Sequence, residues 1–400
     1  MKRSRSVILA TIAALAAGVA AVNIAGSASA AVACAPAWSA AAVYVGGNVA
    51  SQNSHNYSAK WWTQNESPAT HSGQWDVWAD QGACGGTTPP TTTPPTTPPS
   101  NGTLPAHFLT GYWQNFDNPA NEIKLAAVPS TYDLVAVAFA DATSTPGAVS
   151  FAIDPGLSSS VGGYTNDQFK ADVATLHSRG KKVVISVGGQ NGSISVADSG
   201  SATNFANSIY SLMQTYGFDG VDIDLENGLN ATYMTQALRS LAAKSGSSLV
   251  LTMAPQTIDM QSTSNTYFQT ALNVKDILTV VNMQYYNSGS MLGCDGKVYS
   301  QGSVDFLTAL ACIQLEGGLS PSQVGLGLPA SPSGAGSGYV SPSVVNNALD
   351  CLTKGTACGS FKPSRTYPDL RGAMTWSTNW DAAAGNAWSG AVGPHVHGLP

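Results

Sequence analysis

The stretch YGFDGVDIDLENG, residues 216–228, places four carboxylates within eight positions: Asp219, Asp222, Asp224 and Glu226. The last three alternate with Val221, Ile223 and Leu225. Alternation with period two is the mark of a β-strand, which sends Asp222, Asp224 and Glu226 to one face and the apolar residues to the other. Only 10% of the residues in the chain are charged. An acidic face on an otherwise apolar strand therefore needs a setting that accounts for it.

That setting comes from the flanking sequence. Seven further short apolar runs accompany this one between residues 102 and 400: FLTGYW, LVAVAFA, KVVISVGG, LVLTMAP, LTVVNMQYYN, VGLGLPA and RGAMTW. Amphipathic stretches such as NDQFKADVATLHSRG and TYMTQALRSLAAKSG lie between several of them. Eight nearly continuous hydrophobic strands with crossovers predict a parallel sheet buried on both faces. The expected fold class is α/β, a (β/α)8 TIM barrel. A doubly wound open sheet is the alternative, but no strand leads into the G-x-G-x-x-G turn that it would favour.

In such a barrel the chemistry sits at the C-terminal ends of the strands. Val221, Ile223 and Leu225 suit the helix-facing side, which leaves the acids inside. Three ionised carboxylates side by side in a barrel are prohibitively costly, because desolvation and mutual repulsion both favour the neutral form. At least one should hold a proton at neutral pH. Glu226, nearest the mouth, is the candidate general acid, with Asp222 and Asp224 setting its protonation. Asp219 has the opposite parity and is expected to serve a turn or bond to backbone. Neutralisation by buried cations finds only Lys182 and Arg371 on the eight runs, both at strand starts.

The rest of the chain bounds its habitat. A formal charge of −6, with no basic patch beyond the extreme N-terminus, disfavours a nucleic-acid partner. Residues 1–30 read as an export signal: basic MKRSRS, apolar VILATIAALAAGVAAV, and the A-x-A site Ala28–Ala30. The chain is thus expected to be secreted, without a membrane anchor, and monomeric. In an oxidising setting the six cysteines should form disulfides. Of the 15 possible pairings, the sequence-local set costs least loop-closure entropy: Cys34 with Cys84, Cys294 with Cys312, Cys351 with Cys358. Neither C-x-x-C nor H-E-x-x-H occurs, so no metal or other cofactor is expected.

Thr87–Ser100, TTPPTTTPPTTPPS, divides the chain. Its Pro-Pro pairs enforce polyproline II, a semi-rigid spacer of roughly 40 Å that suits two modules engaging one large object. The expected linker is 87–101, between a small all-β module at 31–86 and the barrel domain at 102–400. Five of the nine tryptophans fall in that module: Trp38, Trp61, Trp62, Trp75 and Trp78. So small a unit cannot bury all five. If Trp61 and Trp62 lie on a strand, one points in and one out, and an exposed ring is a platform for a sugar face.

Two resemblances sharpen these expectations. Cys34, the AW at 37–38, Tyr44, Y-x-A-K-W-W-T at 57–63 and W-x-D-x-G-A-C ending at Cys84 resemble the small chitin/cellulose-binding modules of families 5 and 12. That resemblance implies a chitin-binding surface carrying Trp61 and Trp62. DGVDIDLE fits the D-x-x-D-x-D-x-E pattern of glycoside hydrolase family 18, SVGG at 186–189 fits its S-x-G-G, and GAMTWSTNWD resembles its last strand. The implied activity is hydrolysis of β-1,4-linked N-acetylglucosamine polymers, that is, chitin and its oligomers. The implied mechanism is substrate-assisted and retaining. Glu226 would be acid and base, Asp224 would hold the acetamido N–H, and Asp222 would share a proton with Asp224. Trp376 would floor the sugar site, with Gln190 and Tyr112 lining it.

On the sixth run many members of the family read M-x-Y-D, where this chain has VVNMQYYN. Aligning Met283 would select Tyr285 as the catalytic tyrosine. Alternation selects otherwise: Val281 and Met283 suit the helix side, placing Gln284 and Tyr286 inside. Gln-x-Tyr also resembles the compact, hevamine-like branch, and Tyr286 is taken as the phenol for the acetamido oxygen. Asn287 in place of Asp leaves the pH optimum open. Ala330–Arg371 offers only about 40 residues, an ordinary crossover, so the groove should be shallow and favour internal cleavage. Two other activities remain on this fold: an endo-N-acetylglucosaminidase acting on glycoprotein glycans, and a non-hydrolytic chitin-binding protein.

Overall fold

A computed structural model describes residues 32–40, 42–85 and 103–400. The expected export segment and the expected linker lie outside the described residues. The chain divides into two compact units, Met1–Thr97 and Pro98–Pro400.

The smaller unit is all-β. Val49–Gln52, His55–Ala59 and Trp78–Ala83 form an antiparallel three-stranded sheet, and Val43–Tyr44 pairs with Thr63–Gln64. Asn53 and Ser54 both adopt positive φ (51° and 62°), the twist that a two-residue hairpin requires. The core is slight: Ala50, Tyr57, Ala59 and Trp78, with Trp38, Tyr44 and Val77 packed against it. Cys34–Cys84 ties the two ends, a staple that a core of this size needs. Trp61 and Trp62 depart from the one-in, one-out expectation, being 49% and 60% exposed. The physical reason is that they follow the end of the strand at Ala59 and precede the next at Thr63, so strand parity does not govern them.

The larger unit is a closed barrel of eight parallel strands: β1 Phe108–Gln114, β2 Leu134–Ala142, β3 Lys182–Gly188, β4 Gly220–Asp224, β5 Val250–Met253, β6 Val280–Gln284, β7 Val324–Pro329 and β8 Gly372–Trp376. All eight apolar runs become these strands. Closure is made by β8 pairing with β1. Each strand contributes to two layers. One parity, including Val183, Ile185, Val221, Ile223, Val281 and Met283, packs under the helices. The other, including Phe108, Tyr112, Ala136, Val184, Val280 and Met374, fills the barrel.

The helices follow the apolar stripes. In α1, Asn166–Ser178, Phe169, Val173 and Leu176 are buried at helical spacing, behind a Thr165–Gln168 capping box. Then come α2 Ser199–Tyr216, α3 Ala231–Ser245, α4 Thr266–Asn273, α5 Val304–Glu316, α6 Pro342–Lys354 and α7 Ala387–His397. The crossover from β1 to β2 departs from the ideal pattern. It holds only a 3-10 turn, Leu125–Ala127. Pro129 holds the preceding Val128 in an extended conformation (ψ 130°) and stops any helix there.

The disulfides are the sequence-local set, Cys34–Cys84, Cys294–Cys312 and Cys351–Cys358. Between β7 and β8 the regular elements described are a 3-10 turn, Pro332–Gly334, and α6; no inserted sheet occurs there among the described residues. No helix among the described residues is long and apolar enough to cross a membrane.

Candidate active site

Strand β4 ends at Asp224, two residues earlier than the alternating pattern suggests. The alternation nevertheless persists past the ladder: Leu225 is buried in the outer core, and Glu226 faces the cavity at the mouth. The tight fit beside β4 explains the glycines of SVGG. Gly188 has φ +127°, and a Cβ there would collide with the Asp224 carbonyl oxygen. Gly189 has φ +74°, and its Cβ would sit 2.6 Å from the Phe139 ring.

Asp222 lies deepest of the three acids. It accepts hydrogen bonds from Tyr112 Oη at 2.7 Å, Ser186 Oγ at 2.7 Å and Thr252 Oγ1 at 2.6 Å. Burial pushes its carboxyl up, and these three donors oppose that rise. Asp224 accepts from Gln284 Nε2 at 2.8 Å. Burial first, then the charges of Asp222 and Glu226, push it well above the ordinary carboxylate range. Asp222 is therefore the better hydrogen-bonded of the two, and the upward push is the stronger at Asp224. Glu226 is half-buried and is raised by desolvation and by the charge of Asp259, against a bond from Gln284 Nε2 at 3.3 Å. The amide of Gln284 thus spans both upper carboxylates while also donating to the Ala254 carbonyl at 3.0 Å.

These groups open into a cavity of about 970 Å³, large enough for several sugar rings. Asp224, Glu226, Gln190, Gln284, Tyr286 and Trp376 all line it. Trp376 stacks on Phe139 (5.8 Å, 17°) and Phe116 (6.4 Å, 25°), an aromatic wall for an apolar sugar face. Among the described residues, the lining contains no lysine, arginine or histidine. Cys294, Cys312 and Glu316 are the one His/Cys/Asp/Glu cluster of metal-ligand spacing among the described residues, and two of its three ligand atoms are disulfide-bonded sulfurs.

One expectation is corrected. Tyr112 does not line the cavity. Its ring is 2% exposed, lies within the barrel against Trp376, and its hydroxyl is committed to Asp222. The parity that directs Tyr112 inward also sets it a layer too deep for the pocket. Asn287 does line the cavity, but its amide oxygen accepts from Ser337 N–H at 2.9 Å rather than engaging the acids. Its positive φ of 51° turns the chain into that bond. Tyr285 and Tyr286 separate as alternation predicts. Tyr285 is buried under α5, hydrogen-bonded to Gln314 at 3.3 Å, while Tyr286 faces the cavity. Burial and the three acids push the Tyr286 phenol well up.

Thr252 was not singled out from the sequence, and Ser186 only as the first residue of SVGG, with no role assigned. They are detectable once strands are placed in register, since both sit directly beside Asp222 on the neighbouring strands. Phe116 lies in the loop after β1, Asp259 in the 3-10 turn Thr257–Met260, and Phe139 inside β2 at a shift in its register with β3, so periodicity offers no signal for them. The same holds for the α4 residue Tyr267.

Comparison with known proteins agrees with this geometry. The model of the glycosyl hydrolases family 18 matches residues 109–391. Chitinase D of Niallia circulans is 37% identical over 331 residues, covering 73% of this chain and 62% of that protein. Chitinase Chi52 of Paenibacillus xylanexedens is 36% identical over 330 residues, with the same 73% and 62% coverage. The chain thus spans under two thirds of the length of these relatives. A crystal structure assigned to chitinase A of Streptomyces coelicolor is 75% identical, with a TM-score of 0.73 over 74% of this chain and 100% of that one. A family 18 chitinase from Chromobacterium violaceum is 33% identical, with a TM-score of 0.68 over 91% and 100%.

Proposed function

Because the chain belongs to the glycosyl hydrolases of family 18, we propose that it is a secreted chitinase acting on β-1,4-linked N-acetylglucosamine polymers. The observation that carries this reading is the column of three acids beneath a sugar-sized cavity, with Gln284 bridging Asp224 and Glu226 and no cation in the lining. An acid kept protonated by burial is the group needed to protonate a leaving glycosidic oxygen.

The placement supports the following proposed steps. Glu226 gives its proton to the glycosidic oxygen as the bond from that oxygen to C1 breaks. The acetamido carbonyl oxygen of the same sugar attacks C1 from the opposite face and forms a cyclic oxazolinium ion. Asp224 accepts the acetamido N–H. As that N–H turns acidic in the cation, the carboxyl pair Asp222–Asp224 gives up its shared proton toward Asp222, leaving negative charge beside the ring. Tyr286 donates to the acetamido oxygen and fixes its angle of attack. Water then adds to C1 while Glu226 takes its proton, so configuration is retained and the acid is regenerated. Gln190 and Trp376 position the sugar, and Tyr112 acts from below by holding Asp222.

The domain plan is part of the same proposal: an export signal at 1–30, a chitin-binding module at 31–86, a linker at 87–101 and the hydrolase at 102–400. Trp61, Trp62 and Trp75 are exposed on the module, Trp75 at 84%. That supports docking on a flat polymer face; the chain is taken to act as a monomer. The crossover after β7 leaves the groove open, which favours internal cleavage.

Colloidal chitin and a high-mannose glycoprotein, each offered to wild type and to Glu226→Gln, test the reading. Release of oligomers from chitin by wild type alone is expected. Release only from the glycoprotein would make the chain an endo-N-acetylglucosaminidase; binding without release from either would make it a non-hydrolytic lectin-like protein.

A further inference from the structure

The β4–β5 ladder ends at Ile223–Met253, between Asp222 and Asp224. Val250 N–H bonds the Asp219 carbonyl, and Ala254 N–H bonds the Ile223 carbonyl. Carrying that parallel pattern one step onward would send Leu225 N–H to the Ala254 carbonyl. Neither group makes that bond. Leu225 N–H donates instead to Tyr267 Oη at 2.6 Å, and the Ala254 carbonyl accepts from Gln284 Nε2 at 3.0 Å. Tyr267, on the first turn of α4, is 2% exposed, and its hydroxyl also reaches the Ile223 carbonyl at 3.3 Å. A single buried phenol therefore stands between the strands and divides one missing ladder bond into two side-chain bonds.

Resting on the chitinase reading above, we propose that Tyr267 is a positioning residue that aims Glu226 at the scissile oxygen and frees the Ala254 carbonyl to hold Gln284. The Leu225 peptide is the link between Asp224 and Glu226, so whatever anchors its N–H sets the angle at which Glu226 leaves the strand. A buried N–H must find a partner. Without the phenol oxygen, the ladder bond to Ala254 is the partner within reach. Taking it would draw Leu225 toward β5 and compete with Gln284 for the same carbonyl. Both changes move Glu226, and a displacement of about 1 Å costs on the order of 100-fold in rate. Tyr267 touches neither sugar nor water in this scheme; it acts through the peptide and through Gln284.

The test compares Tyr267→Phe with Tyr285→Phe, which removes a second buried phenol hydroxyl bonded away from the cavity. On a soluble N-acetylglucosamine hexamer, Tyr267→Phe is expected to lower kcat about 10- to 100-fold with KM changed less than about threefold. Its alkaline limb should move to higher pH, because the bond from Gln284 that holds Glu226 down is lost. Tyr285→Phe should lose thermal stability with kcat and pH profile unchanged. Equal kcat losses in both variants, or a wild-type kcat and limb in Tyr267→Phe, overturn the assignment. Should Tyr267→Phe fail to fold, 3-fluorotyrosine introduced at 267 keeps the ring and weakens the acceptor, and an unmoved kcat and limb there overturn it equally. Glu226→Gln runs alongside. Activity persisting in Glu226→Gln would sink the chitinase mechanism itself, whereas an inactive Glu226→Gln with a normal Tyr267→Phe sinks only the positioning role.

Discussion

Strand β4 carries buried acid at both ends under opposite electrostatic regimes. At its base Asp219 is matched: Lys182 Nζ lies 3.0 Å away, His177 Nε2 2.8 Å away, and Val183 N–H donates at 2.8 Å. At its mouth Asp222, Asp224 and Glu226 face one another, with neutral donors for company, and all three are pushed upward. The two ends are separated by only a few residues of one strand, so composition cannot explain the difference. A buried acid beside a cation stabilises the fold through its pairing. Buried acids gathered without a cation hold protons that they can lend. The first kind is architecture and the second is chemistry.

The widest separation between the two ends should come from substitutions that touch one regime alone. Glu226→Gln keeps size and hydrogen bonding but cannot transfer a proton. Hydrolysis of a chitin oligomer should fall about 100- to 10,000-fold, with the melting temperature close to wild type. At the base, Lys182→Met leaves the buried Asp219 without its ammonium partner. Removing one partner of such a pair costs about 3–5 kcal/mol, read as a lower denaturant midpoint with kcat per folded molecule within about twofold of wild type. A large kcat loss in Lys182→Met, or a collapse in stability for Glu226→Gln, would erase the distinction. Tyr286→Phe sharpens it at the mouth: with the Tyr286 hydroxyl gone from the cavity, kcat should drop about 10-fold or more, in line with one lost bond to a developing charge.

How much of this is visible before folding depends on whether local periodicity or distant contact decides it. Barrel strands are readable because each is an apolar run, and the inward acids because alternation in GVDID survives folding. The same parity separates Tyr285 from Tyr286. What stays hidden is depth and partnership. Tyr112 has the inward parity of a pocket residue, yet sits one layer below it. Trp61 and Trp62 follow a strand rather than lie on one, so alternation misplaces one of them. Tyr267 acquires its place from the packing of α4 against the end of β4, a contact that nothing in NTYFQTALN announces. The missing first helix is legible only in hindsight from Pro129.

The smallest predicted effect concerns the sign of a pH dependence. Asp224 is raised in the folded state above its unfolded value of about 3.9. A group raised on folding contributes stability that is present below the unfolded pKa and is lost as pH rises through the folded pKa. At neutral pH the wild type therefore carries the cost of a carboxyl that resists ionisation. Asp224→Asn accepts the same bond from Gln284 and does not titrate. It should melt higher than wild type at pH 7, by a few degrees, since about 1 kcal/mol corresponds to about 2–4 °C in large domains. That advantage should shrink as pH falls, to a small remainder near pH 4, where the Asp224 carboxyl is protonated in the fold and about half protonated in the unfolded chain. Asp219→Asn, at the matched end of the same strand, should destabilise at pH 7 instead. Melting curves of the two variants from pH 4 to pH 8 measure the contrast, and parallel behaviour of the two would show that the strand does not divide its acids as their surroundings imply.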